Sequence, residues 1–164
     1  MSVPVIRRAL TSDLPWLGRL GALLVKEHHN IDPRRFLAPS DQTAANYASF
    51  LSTKLEDRDA VIVVAEGHTE VIGYAYAEVQ GYDYLSLRGP AAVLHDIIVD
   101  PPHRGRGIGG SLLNAVLANL KERGMPRVVL SSAEGNQAAQ RLFVRMGFRR
   151  TMVEMTRELD NEAI

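Results

Sequence analysis

Residues Arg104-Gly105-Arg106-Gly107-Ile108-Gly109-Gly110 combine two guanidinium groups with four glycines in seven positions. Arginine supplies charge-assisted donors for phosphate oxygens, and glycine allows positive φ and a close backbone approach. The apolar run Val93-Leu94-His95-Asp96-Ile97-Ile98-Val99 comes before them and reads as a strand. After them, Leu112, Leu113, Val116, Leu117 and Leu120 fall on one face of a helix. Strand, glycine-rich turn and helix together aim backbone N–H groups and a helix dipole at a phosphate. The loop Arg104–Gly110 is therefore expected to hold a pyrophosphate. It contains no lysine at Ile108-Gly109-Gly110-Ser111, so it is not a nucleoside-triphosphate loop. No βαβ unit carries a ribose-binding acid about twenty residues on, so it is a poor dinucleotide fingerprint.

A second segment follows the first by about thirty residues. In Asn136-Gln137-Ala138-Ala139-Gln140-Arg141-Leu142-Phe143-Val144-Arg145-Met146-Gly147-Phe148, Asn136 is a good N-cap. Ala139, Leu142, Phe143 and Met146 form one apolar face, and Gly147 suits the left-handed position after a helix. The two segments, in this order, resemble the two signatures of the GNAT superfamily of N-acetyltransferases. The likeness is clearest over residues 92–150 and rests on element order alone over 3–91.

That resemblance implies a fold, a cosubstrate and a set of roles. The fold is α/β, with a mixed, splayed β-sheet flanked by helices on both faces, in a single domain over residues 1–164. The cosubstrate is acetyl-coenzyme A. Its pyrophosphate would lie on Arg104, Gly105, Arg106, Gly107, Ile108, Gly109 and Gly110. Its pantetheine arm would pair with the backbone of Ile97, Ile98 and Val99 where the bulged strand splays from the next, with Asn136 and Phe143 alongside. Leu94-His95-Asp96-Ile97-Ile98-Val99 further resembles the polyamine (spermidine/spermine) acetyltransferase branch. A Glu commonly precedes the Asp there and is thought to help accept the amine's proton; in this chain His95 stands in its place.

On regular pleating His95 and Asp96 would face opposite sides of their strand. Imidazole ionises near a pH of roughly 6.5, so it accepts a proton at neutral pH, directly or through water. An alkyl-ammonium acceptor, with a pKa of about 10.4, must lose a proton before it attacks a thioester. His95 reads either as that catalytic base or relay, or as a hydrogen-bonded core histidine beside the cleft. Asp96 reads as a structural carboxylate that pins a loop or a helix end. Phe143 departs from the family pattern, because many relatives carry a Tyr there that is assigned as acid to the departing thiolate. Phenylalanine donates no proton, so a water, Asn136 or a tyrosine of the Tyr82–Tyr84 segment would have to assist.

Composition narrows the alternatives. A chain of 164 residues with 46% hydrophobic content suits one globular domain. A formal net charge of zero argues against a nucleic-acid partner bound by a general basic surface. No apolar run approaches eighteen residues, so no membrane span is expected. The absence of cysteine excludes thiolate metal sites and a cysteine acyl-enzyme, and suits a cytoplasmic location. Glu27-His28-His29 with Asp32 looks like a metal cluster, but adjacent helical histidines diverge by about 100°. No metal is expected. Glu27 and His28, with Tyr82 and Tyr84, are instead candidates to line the substrate mouth. Arg34-Arg35 reads as a solvated charge pair, and Trp16 as a core or interface residue.

The elements that position these residues alternate along the chain. Val3–Leu10 reads as a strand, and Thr11-Ser12-Asp13 as the cap of a helix running to about Asn30, with Leu14, Leu17, Leu20 and Leu24 inward. A second helix is expected over about Ser40–Lys54. Strands follow at Ala60–Glu66 and Glu70–Val79, then a looser segment at Gln80–Pro90 and the strand Ala92–Val99. A helix to Arg123, a strand at Arg127–Ser132, a helix at Asn136–Met146 and a final strand near Val153–Leu159 complete the order. The expected activity is acetyl transfer to a primary amine of a small molecule by direct attack, in a homodimer. Two alternatives stay open: a non-catalytic acyl-coenzyme A binding or sensing module, and a protein or peptide N-acetyltransferase.

Overall fold

Six successive apolar residues at Ala60–Ala65 must be covered on both faces. In the computed structural model, which describes residues 3–159, they form the second strand of a five-stranded sheet with helices on either side. The strands are β1 (Val5–Arg8), β2 (Ala60–Glu66), β3 (Val71–Gln80), β4 (Ala91–Val99) and β5 (Val128–Leu130), and they lie in sequence order. The first three pairings are antiparallel and β4 pairs with β5 in parallel, so the sheet is mixed. The β4–β5 ladder runs only from Ala92↔Val128 to Leu94↔Leu130. Beyond it, residues 95–99 have no strand partner on that side among the described residues.

Period-two alternation divides β2 between two cores. Val61, Val63 and Ala65 meet Leu112, Leu113, Val116 and Leu120 of α3 (Ile108–Glu122) and Phe143 of α4 (Gln137–Arg145). Ala60, Ile62 and Val64 meet Leu17 and Leu20 of α1 (Leu14–Ile31) and Leu51 of α2 (Thr43–Leu55). Leu14 and Leu24 pack at the rim of this second core, as their spacing predicts, and Trp16 joins them with the Arg19 guanidinium over its ring. No helix among the described residues is long and apolar enough to cross a membrane.

The elements match the expected order, with four differences. Thr11–Asp13 forms a 3-10 turn, and Asp13 acts through its carboxylate rather than as a simple cap. It accepts the Leu10 N–H at 2.8 Å and two Arg7 guanidinium nitrogens at 2.7 and 2.9 Å. The second helix begins at Thr43 rather than near Ser40, because Ser40 and Thr43 hydrogen-bond each other in the preceding turn. His95 and Asp96 do not face opposite sides, because the β3–β4 register shifts between them and Leu94. The predicted final strand near Val153–Leu159 is absent. Glu154 is bound to Arg35 and Glu158 to Arg34, at 3.1 Å, which holds that segment beside the α1–α2 connection instead of β5. Arg34 and Arg35 are thus ion-paired rather than only solvated.

Helices α1 and α2 touch where α1 has no side chain. A Cβ on Gly21 would lie 2.1 Å from the Tyr47 ring, so this glycine is the floor on which Tyr47 rests. Gly21→Ala is expected to displace that ring and cost about 1–3 kcal/mol, as overpacking does in a filled core. Urea unfolding of the variant checks this; an unchanged midpoint would show that the ring has room to shift.

Candidate active site

The β3–β4 ladder pairs Tyr76 with Asp96 and the next residue, Ala77, with Leu94. His95 is the extra residue of a β-bulge, and the bulge reverses the pleat. Leu94 lies in the core under α3, whereas both His95 and Asp96 meet the tyrosine face of β3 under α2. The His95 ring stacks on Tyr76 with centroids 5.2 Å apart, and its Nε2 faces Glu78 Oε2 at 3.4 Å. Asp96 accepts hydrogen bonds from Tyr47 Oη at 2.6 Å and Tyr74 Oη at 2.9 Å. It pins α2 to the sheet, a structural role of the kind its position in the sequence suggests.

A polar wall surrounds the imidazole. Glu78 accepts a hydrogen bond from Tyr76 Oη at 2.5 Å and is ion-paired with Lys54. Phe50 packs edge-on to Tyr76, with Lys54 Nζ 5.8 Å from the Phe50 ring. Burial raises the Glu78 carboxyl, yet the hydrogen bonds from Lys54 and Tyr76 outweigh it and the group lies below the ordinary glutamate value. Burial is also the largest influence on Asp96, and there it prevails over both tyrosine hydrogen bonds, so this carboxyl titrates above normal. The phenols of Tyr47, Tyr74 and Tyr76 are pushed up, first by burial and then by the neighbouring carboxylates. They therefore remain donors.

The opposite side of the bulge carries the predicted anion loop. Gly107, at φ +80°, is the N-cap of α3, and Gly105 is also left-handed at +76°. A Cβ at either glycine, or at Gly110, would meet nothing within 4 Å, so the space over the loop is open. At Gly109 a Cβ would come 3.3 Å from Leu142, so that glycine serves the contact between α3 and α4. Ile108 is buried in the core, which leaves its backbone to act at the helix start. Arg104, exposed, is already engaged: Nε donates to the Val99 carbonyl at 2.7 Å and Nη2 to Glu27 at 2.7 Å. Strand residues Ile97, Ile98 and Val99 lead from the bulge to this loop along the edge that β5 leaves uncovered. Asn136 caps α4 by accepting the Ala139 N–H at 3.2 Å. Phe143 is buried on that helix, edge-on to Phe148.

The mouth residues are less well gathered. Glu27 belongs to the Arg104 pair, and His28 is bound through Nδ1 to the Leu24 carbonyl and packed on Phe36. Tyr82 and Tyr84 are exposed in the β3–β4 connection, past the Gln80↔Ala91 end of the ladder, and are not part of the His95 wall. The residues the sequence reading left without a role are Tyr47, Phe50, Lys54, Tyr74, Tyr76 and Glu78. Their signal was present: Tyr74, Tyr76 and Glu78 alternate along an otherwise aliphatic strand, and positions 47, 50 and 54 share a helix face.

Comparison with known proteins bears on the family and the fold. A family model described as the acetyltransferase (GNAT) family matches residues 24–148. A mycothiol acetyltransferase of Thermobispora bispora is 42% identical over 67 residues, covering 41% of this chain and 23% of that protein. An L-methionine sulfoximine/L-methionine sulfone acetyltransferase of Pseudomonas aeruginosa is 30% identical over 105 residues, covering 63% of this chain and 59% of that protein. The chain thus spans about a quarter of the first relative's length and under two thirds of the second's. A tetramutant of the BH1408 protein from Bacillus halodurans shares the fold, with a TM-score of 0.82 at 20% identity, covering 94% of this chain and 99% of that one.

The depressed Glu78 carboxyl predicts a pH-dependent stability. Its folded value lies below the unfolded one, so its contribution is complete above the unfolded pKa of about 4.3 and is lost as pH falls through the folded value. Glu78→Gln should therefore cost about 1 kcal/mol near neutral pH. That gap should close toward about pH 3. Denaturant titrations of both proteins across this range check the sign, and a constant gap would contradict it.

Proposed function

Because the chain belongs to the acetyltransferase (GNAT) family, we propose that it transfers an acetyl group from acetyl-coenzyme A to a primary amine of a small molecule, by direct attack in a ternary complex. We read it as a single domain over residues 1–164, and a chain without cysteines suits the reducing cytoplasm. The observation that carries this reading is the bulge at His95. It sets an imidazole on the walled face of the sheet and leaves Ile97–Val99 as an open edge running into the Arg104–Gly110 loop.

The bound cosubstrate supplies a thioester, whose carbonyl carbon takes the amine nitrogen while the C–S bond breaks and the thiolate departs. The chain's own groups prepare that exchange. Backbone N–H groups at the start of α3, with the helix dipole behind them, hold the pyrophosphate. The open edge of β4 offers backbone partners to the pantetheine arm, and a backbone N–H of the bulged strand faces the developing oxyanion. His95 takes the amine's proton, directly or through a water. Glu78, ionised beside Nε2, orients the imidazole for that transfer.

The names of the two curated relatives, drawn from mycothiol and from methionine sulfoximine, support a small acceptor. The likeness of Leu94–Val99 to the polyamine branch favours an alkyl amine among such acceptors. A second reading rests on Phe143, which brings no hydroxyl to the helix beside the cleft. A thiolate leaves readily without protonation, so turnover does not require one. If the protein instead only senses acyl-coenzyme A, an amine panel will release no thiol above hydrolysis.

Two measurements test the main reading. Acetyl-coenzyme A should bind by calorimetry, and Gly107→Glu should abolish that binding, because the new side chain strains a φ of +80° and sets a carboxylate against the pyrophosphate. Undiminished binding would remove the loop assignment. His95→Ala should lower the rate of amine-dependent thiol release roughly ten- to a thousandfold while sparing affinity for acetyl-coenzyme A. Full activity of this variant across pH 6–9 would remove His95 from the reaction.

A further inference from the structure

Edge strand β1, its neighbour β2 and helix α3 enclose a cavity of about 190 Å³ on the face of the sheet away from His95. Arg8 pairs with Val63 and Ile6 with Ala65, so both β1 side chains lie on the α3 side. Helix α3 turns Ala115, Asn119 and Arg123 toward them, each one turn after the last. Ile6, Val61, Val63 and Ala115 make the walls apolar. Against those walls stands an amide with a gap in its bonding: Asn119 Oδ1 is buried and has no hydrogen-bond partner. Buried acceptors without a donor are rare in folded proteins, and this one lines a space large enough to admit a donor-bearing molecule.

The charges around this cavity are one-sided. Arg8 is exposed at its rim, and among the described residues no carboxylate meets its guanidinium. Arg123 is anchored through Nη1 to the Arg58 carbonyl at 2.7 Å. Arg7, by contrast, is already held by Asp13 and Glu66. No acid belongs to the lining. We propose that the cavity is a second small-molecule site, for a carboxylate that carries a neutral hydroxyl or amide donor on a short apolar body. The carboxylate meets Arg8 and Arg123 at the rim, the donor bonds to Asn119 Oδ1, and the body lies between Ile6, Val61 and Ala115. A cationic donor is disfavoured, because guanidinium groups and no acid face it. The volume is room for about six waters, which suits a hydroxy acid and excludes a nucleotide. Asn119 lies twelve residues after Gly107, the N-cap of α3, and so about 18 Å along the helix from the anion loop. The ligand therefore meets neither that loop nor His95, and the site stands independently of the acetyl-transfer reading.

Three matched probes test the assignment on the full-length chain by amide NMR titration. L-α-hydroxyisocaproate has the carboxylate, the neutral donor and the apolar body; isocaproate lacks the donor; L-leucine replaces it with an ammonium. The hydroxy acid should bind with a dissociation constant of about 1 mM or below, shifting the signals of Arg8, Val61, Val63 and Asn119. The other two should bind at least about tenfold more weakly. Asn119→Leu fills the cavity and removes the acceptor, so it should abolish hydroxy-acid binding while acetyl-coenzyme A still binds. Arg8→Gln, an exposed change that leaves α3 untouched, should weaken the hydroxy acid about tenfold or more and decides the matter if Asn119→Leu disturbs the helix. Saturable shifts by none of the three probes would mean that the cavity holds water only and would overturn the proposal. Equal affinity for all three, undiminished binding by Arg8→Gln, or shifts centred on residues 104–110 instead would overturn it as well.

Discussion

The hydrogen-bond ladder between β3 and β4 slips by one residue at His95, and the rest of the site follows from that slip. Without it, Asp96 would lie under α3 in an apolar core with no phenols to meet it, and its burial as a charge would be prohibitive. With it, His95 and Asp96 share a face, and the ladder to β5 ends at Leu94, the residue before the bulge. One irregularity thus both groups the polar side chains and uncovers a strand edge. The two halves of the proposed reaction meet at the same residue because the same backbone deviation produces both.

Asp96 is the second organising group. A buried carboxylate is tolerated only when its oxygens are satisfied, and the Tyr47 and Tyr74 hydroxyls supply that from a helix and a neighbouring strand. The arrangement depends on Gly21, whose missing side chain lets the Tyr47 ring lie across α1. Such networks gain more from completeness than from any single bond, so the glycine, the two tyrosines and the aspartate act as a unit. They hold α2 at the distance from the sheet that allows Phe50 and Lys54 to reach Tyr76 and Glu78.

The parts of this molecule that were legible in the sequence are those whose cause is local. Gly105 and Gly107 adopt positive φ because a tight turn into a helix requires it, and seven adjacent letters carry that requirement. Asn136 caps the helix it opens, three residues from its partner. The Tyr47–Asp96 contact joins residues 49 apart, and no spacing rule connects them. The pleat of His95 and Asp96 was misjudged because a bulge inserts one residue without changing the composition of the strand. The strand expected near Val153–Leu159 is absent, because pairing needs a neighbour, and two arginines of the α1–α2 connection hold the segment elsewhere. Glu78 escaped notice because a single acid at the end of an apolar strand reads as a solvated edge until Lys54, Tyr76 and His95 are brought around it.

Helix α2 carries two kinds of residue along one stripe. Tyr47 is docked in the interior, whereas Phe50 and Lys54, one and two turns later, stand at the surface beside the imidazole. The docking end resists exchange, because losing it leaves a buried carboxylate half-satisfied; the outer end tolerates it. On the proposed reading, substitutions at 50 and 54 reshape the wall beside His95 without touching the Tyr47–Asp96 contact. The helix works like a hinge plate, with one fixed screw at Tyr47 and a blade at Phe50 and Lys54 that can be exchanged.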